Sequence, residues 1–313
     1  MKLVDDASGG PEWAAIDRID ARLHAATGPA PPGEVWIGDD AAVVGVGGGV
    51  IVVAADALVA GVHADFDLTS RADLGWKALA VNVSDIAAMG CEPRRALVTV
   101  SSPSVGEVDE LYEGLAAASA AMACPVVGGD LTSGPVLAVS VTVIGDGAVI
   151  PEPVLRSGAR PGDDVWVSGP LGAAAAGLRA LRAGRDAPLL VAAHARPVPR
   201  VPEGTAARVL GASAMVDVSD GFAADFGHLL DRSGVGAELD ELPVAEGASH
   251  EDAIAGGDDY ELIWCAPPSA AITSGFAAWG LRAPVRIGRC VADRTVRTLG
   301  GHTLTPQGWE HWR

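Results

Sequence analysis

Lys77-Ala78-Leu79-Ala80-Val81-Asn82-Val83-Ser84-Asp85-Ile86-Ala87-Ala88-Met89-Gly90 is the stretch on which the fold turns. Leu74, Ala78, Leu79, Val81, Ile86 and Met89 recur at helical spacing, which predicts a helix over Asp73–Met89 stopped by Gly90. Asp85 then falls in the C-terminal turn, where the helix dipole disfavours an anion. A carboxylate there invites a cation.

Similar clusters lie on either side: Gly38-Asp39-Asp40, Asp56, Gly128-Gly129-Asp130 and Asp217-Val218-Ser219-Asp220-Gly221. Each abuts an apolar stretch, and Asp39-Asp40 and Asp258-Asp259 set like charges side by side. Carboxylates gathered at one cleft repel unless cations neutralise them, and hard oxygen ligands suit Mg²⁺. Taken singly, Asp beside Gly or Ser reads first as a turn or helix cap. The combination favours a magnesium–phosphate site.

Upstream, Trp13, Ile16, Ile19 and Leu23 predict an amphipathic helix over Glu12–Ala26, stopped by Gly28-Pro29. Strands Ala41–Val46 and Val50–Ala54 flank Gly47-Gly48-Gly49 as a hairpin, with Asp40 before the first and Asp56 after the second. A hairpin brings these two carboxylates to the same end. Downstream come a strand at Leu97–Val100, a helix at Val108–Met122, a short strand Pro125–Val127 leading into Gly128-Gly129-Asp130, and a strand at Val136–Ile144.

Pro151, Pro153 and the turn-rich Arg156–Asp163 mark a boundary, giving domains over 1–150 and 151–313. In the second, strand Val165–Ser168 passes through Gly169-Pro170-Leu171-Gly172 into a helix at Ala173–Ala183, whose N-terminus is either an anion site or a plain connection. Strand Met215–Val218 leads through Ser219-Asp220-Gly221 to a helix ending near Arg232, and Gly256-Gly257-Asp258-Asp259-Tyr260-Glu261 leads into strand Leu262–Cys265.

The chain has 313 residues, 49% of them hydrophobic, a formal charge of −18 and a pI near 4.6. That charge argues against a nucleic-acid surface, which needs clustered Lys and Arg. The lysines are Lys2 and Lys77. An acidic protein handling phosphate must therefore rely on metals, arginines or helix N-termini. Cys91, Cys124, Cys265 and Cys290 show no zinc or redox spacing and read as buried hydrophobes. Asp5, Asp6 and Glu12 precede any apolar run, and no stretch reaches the ~20 apolar residues of a membrane helix, so no signal peptide and no membrane span are expected and the setting is cytoplasmic.

The P-loop, Gly-x-Gly-x-x-Gly, protein-kinase, His-Glu-x-x-His and Gly-x-Ser-x-Gly patterns are missing. The ordered set that is present resembles thiamine-monophosphate kinase, in the superfamily of aminoimidazole ribonucleotide synthetase, selenophosphate synthetase and the hydrogenase-maturation dehydratase. It runs from Ile37–Ala42 through Asp56–His63, Lys77–Gly90, Gly128–Asp130, Arg156–Asp163, Arg196–Arg200 and Asp217–Gly221 to Gly256–Leu262, nearly the whole chain.

The resemblance implies an N-terminal α+β domain whose sheet pairs with its twin in a homodimer, an α/β C-terminal domain, and an active site in the cleft between them. The implied reaction transfers phosphate from ATP to thiamine monophosphate, with Mg²⁺ and, in many members of the family, K⁺. The acceptor is already an anion, so positioning and charge neutralisation suffice. By resemblance Asp40, Asp56, Asp85, Asp130, Asp217 and Asp220 hold Mg²⁺, while Gly129, Asp130, Arg156 and Ser219 meet ATP phosphates and Tyr112 lies near the nucleotide. Asp130, Asp220 and Arg156 carry the catalytic role.

His63, Asp258 and Trp309 match positions that contact thiamine monophosphate. On residue type alone, Arg156 reads equally as a surface ion pair and Trp309 as core packing, while His63 reads first as structural and is raised only by its family position.

Two departures stand out. Ala54-Ala55 precede Asp56 where the family has Ser-Thr, leaving only backbone carbonyls there for a metal, and Asp258 replaces the usual Glu. The alternatives are another ATP-using superfamily member with a different small acceptor, or a non-catalytic nucleotide-binding homologue.

Overall fold

The computed structural model describes residues 11–309. Asp5, Asp6 and Glu310-His311-Trp312 lie outside the described residues. In chain order the elements are α1 (Pro11–Thr27), β1 (Ala42–Val46), β2 (Gly49–Val59), α2 (Arg71–Ala88), β3 (Pro93–Ser102), α3 (Val105–Ala121), β4 (Val126–Ser133) and β5 (Ala138–Asp146), followed by a second set. That set is β6 (Asp164–Val167), α4 (Ala173–Arg182), α5 (Pro188–Ala195), α6 (Val201–Val209), β7 (Ala214–Asp217), α7 (Phe222–Ser233), β8 (Gly236–Leu239), α8 (His250–Ala255), β9 (Leu262–Ala266), α9 (Ala271–Ala278), β10 (Val285–Val291), β11 (Arg297–Leu299) and β12 (His302–Thr303).

The first sheet has the order β1-β2-β5-β3-β4. Its inward residues Val52, Ala54, Val98, Val100, Val139, Val141 and Val143 bury against Leu79, Val83 and Ile86 of α2 and Leu111 and Leu115 of α3. A Ser70–Asp73 capping box starts α2, satisfying backbone donors that the helix cannot. The two helices cross closely because each carries a glycine at the contact: a Cβ on Gly114 would lie 1.6 Å from the Ala72 carbonyl oxygen, and one on Gly75 would lie 2.0 Å from that of Leu111.

The expected hairpin forms, with Ala42 opposite Val53 and Val46 opposite Gly49. Two boundaries differ from the sequence reading. β2 does not end at Ala54 but continues paired to β5, placing Ala54, Ala55 and Asp56 opposite Val143, Thr142 and Val141. Backbone pairing with a long neighbour overrides the weak strand propensity of Ala and Asp. Gly128-Gly129-Asp130 likewise does not follow a short strand but lies within β4, paired to Leu97, Val98 and Thr99. Gly129 takes φ +153 there, with space for a Cβ closed by the Val98 carbonyl oxygen at 1.7 Å.

The second sheet, β12-β11-β8-β10-β6-β9-β7, is antiparallel except where β11 runs beside β8. Both faces are covered, as in layered α/β proteins. Ile263 and Cys265 of β9 face Phe222, Phe226 and Leu229 of α7, while Leu262 and Trp264 face Ala206, Ile272 and Phe276 of α6 and α9. β9 is consequently buried throughout, which explains its unbroken apolar run. Ala88 at the end of α2 joins this second core, so α2 spans both layers. All four cysteines are buried and free. Among the described residues no helix is long and apolar enough to cross a membrane.

Candidate active site

The last turns of α2 tie three chain segments together. Asn82 accepts a hydrogen bond from the Asp56 backbone N–H at 2.9 Å, and Ser84 donates to Asp217 at 2.5 Å. Asp85 follows Ser84 in the last turn of the same helix, as its sequence position foretold. Ligand oxygens of Asp40, Asp85 and Asp217 all lie within 4.8 Å of one another. The hairpin delivers Asp40, α2 delivers Asp85, and the end of β7 delivers Asp217.

The electrostatics of this cluster are those of crowded anions. Burial, then Asp56, Asp217 and Asp40, raise the Asp85 carboxyl well above its ordinary range. Burial, then Asp40, push Asp217 up to about 7. Asp39 also rises to about 7, through burial and then Asp40, while its oxygens accept the Arg156 backbone N–H. Arg156 is neither exposed nor idle: its guanidinium donates to Asp40 Oδ1 at 2.6 Å. Burial opposes its charge, but Asp40, then Asp39 and Asp225, together more than compensate and hold it protonated. The other Asp40 oxygen, Oδ2, is buried without a hydrogen-bond partner. A hard divalent cation fits that orphaned oxygen and the excess negative charge.

Beside the cluster opens a cleft of about 540 Å³ whose walls include Asp56, His63, Ser219, Asp220, Asp258 and Trp309. His63 accepts from the Val59 backbone N–H through Nδ1, which places the proton of its neutral ring on Nε2. Trp309 is 46% exposed, and its backbone N–H donates to the Asp220 carbonyl. Metal-side and substrate-side candidates therefore meet in one cavity. Tyr112 instead packs on the first core from α3, and Gly129 and Asp130 lie on the exposed strand β4; none of the three lines this cleft. Ala54 is buried and Ala55 exposed in β2, and neither methyl offers an oxygen.

The loop after β7 is held by Asp225, a residue the sequence reading passed over. Its Oδ2 accepts from the backbone N–H groups of Ser219, Asp220 and Gly221, each at 3.0 Å. Burial, then Asp220 and Asp217, raise its carboxyl. The same loop accepts backbone hydrogen bonds from Asp258 and Tyr260 through Ser219 and Val218. Asp258 and Tyr260 adopt φ of +68 and +50, conformations that a non-glycine residue holds only when its surroundings enforce them.

The neighbouring carboxylates Asp258 and Asp259 part company. Asp259 accepts from Gly172 and Ala174 at the start of α4, so that helix end is capped from within rather than left open for an anion. Asp258 accepts from Lys77 Nζ at 3.0 Å and from the Tyr260 hydroxyl at 3.0 Å. Burial alone would raise Asp258, but Lys77 holds it below its ordinary value. His194 Nδ1 lies 3.8 Å from the same carboxylate, its pKa lowered to about 4 by burial and then Lys77. Lys77, His194 and Tyr260 all line the cleft, and the sequence reading assigned none of them a role. The signal was there for Lys77, since lysine occurs at only one other position.

Both halves of the chain resemble known proteins. Residues 38–146 match the N-terminal domain of AIR synthase related protein and residues 160–300 its C-terminal domain. The thiamine-monophosphate kinase of Rhodopirellula baltica is 35% identical over 93% of this chain and 95% of its own length. That of Escherichia coli K12 is 35% identical over 89% and 92%. The solved structure of AaThiL complexed with AMPPCP and TMP superposes with a TM-score of 0.83 at 31% identity, covering 100% of this chain and 99% of that one. With the carboxylate cluster, the adjoining cleft and relatives matched from end to end, the chain belongs to the thiamine-monophosphate kinase family of AIR synthase related proteins.

Proposed function

We infer that the protein phosphorylates thiamine monophosphate to thiamine diphosphate at the expense of ATP. The observation that carries this is the convergence of Asp40, Asp85 and Asp217 beside a cleft walled by Asp56, Asp220, His63, Asp258 and Trp309. A phosphate acceptor is ionised near neutral pH, and the cleft need supply no base. Its work is to align two anionic groups and to screen them from each other.

Asp40, Asp56, Asp85, Asp130, Asp217 and Asp220 are the residues we assign to Mg²⁺. When bound, Mg²⁺ neutralises oxygen charge on the phosphates being joined. Arg156 holds Asp40 in place through its ion pair and, with Ser219 and Gly129, is our choice for the ATP phosphates, with Tyr112 near the base. His63, Asp258 and Trp309 are our choice for thiamine monophosphate. Trp309 presents an indole face suited to the thiazolium cation.

We divide the chain at residue 150, into an N-terminal unit binding metal and nucleotide and a C-terminal unit closing the cleft, and place the reaction in the cytoplasm. A homodimer through the first sheet is supported by Leu97, Val127 and Leu131, which are 42%, 57% and 61% exposed on β3 and the edge strand β4. Light scattering checks it: a mass of one chain at micromolar concentration would refute the dimer.

The deciding assay mixes protein, ATP and Mg²⁺ with thiamine monophosphate, thiamine, an aminoimidazole ribonucleotide precursor or no acceptor, with and without K⁺. ADP and thiamine diphosphate are both measured. Product with thiamine monophosphate alone is the expected result. Saturable Mg-ATP binding without product would overturn the reading.

A further inference from the structure

The far end of the cleft holds a donor and an acceptor side by side, and their placement rests on the reading just given. Lys77, Val81 and Asp85 fall at i, i+4 and i+8 on one stripe of α2, so Lys77 stands about 12 Å along the helix from the carboxylate cluster. An extended thiamine monophosphate carries its aminopyrimidine at the end opposite its phosphate. With the phosphate beside Asp56 and Asp220, the ring arrives at Lys77 and Asp258.

The Lys77 ammonium has three N–H donors. Asp258 Oδ2 takes one at 3.0 Å, and among the described residues no other protein acceptor takes the rest. Asp258 keeps acceptor capacity beyond Lys77 and Tyr260, with 35% of its side chain exposed, and both residues line the cleft. A purely structural pair would be an odd use of this residue type. Among the described residues, the other non-histidine ion pairs use arginine, as at Asp40, Asp73, Asp164, Asp252 and Glu261. An arginine fork would engage both Asp258 oxygens, whereas an ammonium leaves single donors to aim elsewhere.

We propose that Lys77 is a specificity-determining residue: with Asp258 it reads the edge of the acceptor's aminopyrimidine, Lys77 donating to a ring nitrogen and Asp258 accepting from the adjacent amino group. An amino-bearing edge offers that acceptor–donor order. The analogue with a carbonyl oxygen in place of the amino group offers the reverse at both positions, setting oxygen against carboxylate and N–H against ammonium.

The test compares kcat/KM for thiamine monophosphate and for this 4-oxo analogue. Unaltered protein is expected to prefer the amino form by about 10–100-fold or more, as hydrogen bonds to charged groups do. Lys77→Met should collapse that ratio towards one, chiefly through the acceptor KM, with the ATP KM unmoved. Equal use of the two acceptors by unaltered protein, or equal loss of both in the variant, overturns the proposal while leaving the kinase intact. No turnover of thiamine monophosphate by unaltered protein overturns the kinase reading and the proposal with it. Asp258→Asn gives the same readout if Lys77→Met does not fold, and the comparison on unaltered protein needs no variant.

Discussion

Asp217→Asn should make the metal-free protein more stable at pH 8 while removing much of its response to Mg²⁺. An Asp carboxyl ordinarily titrates at 3.8, and in the fold burial followed by Asp40 pushes Asp217 to about 7. Between those values the folded state holds a proton that the unfolded state has released. Stability therefore falls as pH rises from about 4 to 7 and is level above. At about 1.4 kcal/mol per unit, the loss by pH 8 is on the order of 4 kcal/mol. Asparagine escapes it but weakens the hydrogen bond from Ser84, worth about 1 kcal/mol. The remaining ~3 kcal/mol corresponds to roughly 6 °C in Tm for a chain of this size. Thermal denaturation in chelator at pH 5 and pH 8 measures it, followed by titration with Mg²⁺. At 100 times Kd the cation should stabilise the unaltered protein by about 2.7 kcal/mol and the variant by much less. A variant no more stable than the parent at pH 8 without metal, or an equal Mg²⁺ response in both, would refute the crowded-carboxylate account.

Asp220→Asn or Asp130→Asn should lower kcat by about 10²-fold or more with an unchanged circular dichroism spectrum; normal turnover in either removes that residue from the metal set. Trp309→Ala should raise the acceptor KM about tenfold through lost ring contact and leave the ATP KM alone, and an unmoved acceptor KM would make Trp309 a packing residue. Gly114→Ala forces a methyl against the Ala72 carbonyl and should cost about 1–3 kcal/mol in urea denaturation. Gly106→Ala, on the same helix with open space around its Cβ, should instead be neutral or stabilising by about 0.5–1 kcal/mol. Equal effects at the two glycines would show that the helix crossing is not set by them.

What the sequence disclosed depended on whether local pattern or distant pairing governed each element. α2 and the β1–β2 hairpin were legible because apolar spacing and a glycine turn act within a few residues. The extension of β2 through Asp56 was not, because it is imposed by β5, some eighty positions away. Asp40, Asp56, Asp85 and Asp217 were found as carboxylates beside apolar runs, and their convergence was inferred rather than read. The helix end at α4 looked open to an anion until Asp259 proved to be its cap. Asp225 was hidden because its work is on backbone N–H groups, which leave no spacing signature. His194 escaped for another reason: a lone histidine in an alanine-rich run carries no pattern until Lys77 and Asp258 are seen around it.

The scarcity of lysine gives the protein a built-in reporter. A sample grown with isotope-labelled lysine would carry label at two side chains alone, Lys2 and Lys77. The Lys77 resonance, buried against Asp258, would stand apart from a freely solvated ammonium, so occupancy at the far end of the cleft could be followed by one spectral line in the intact enzyme during turnover.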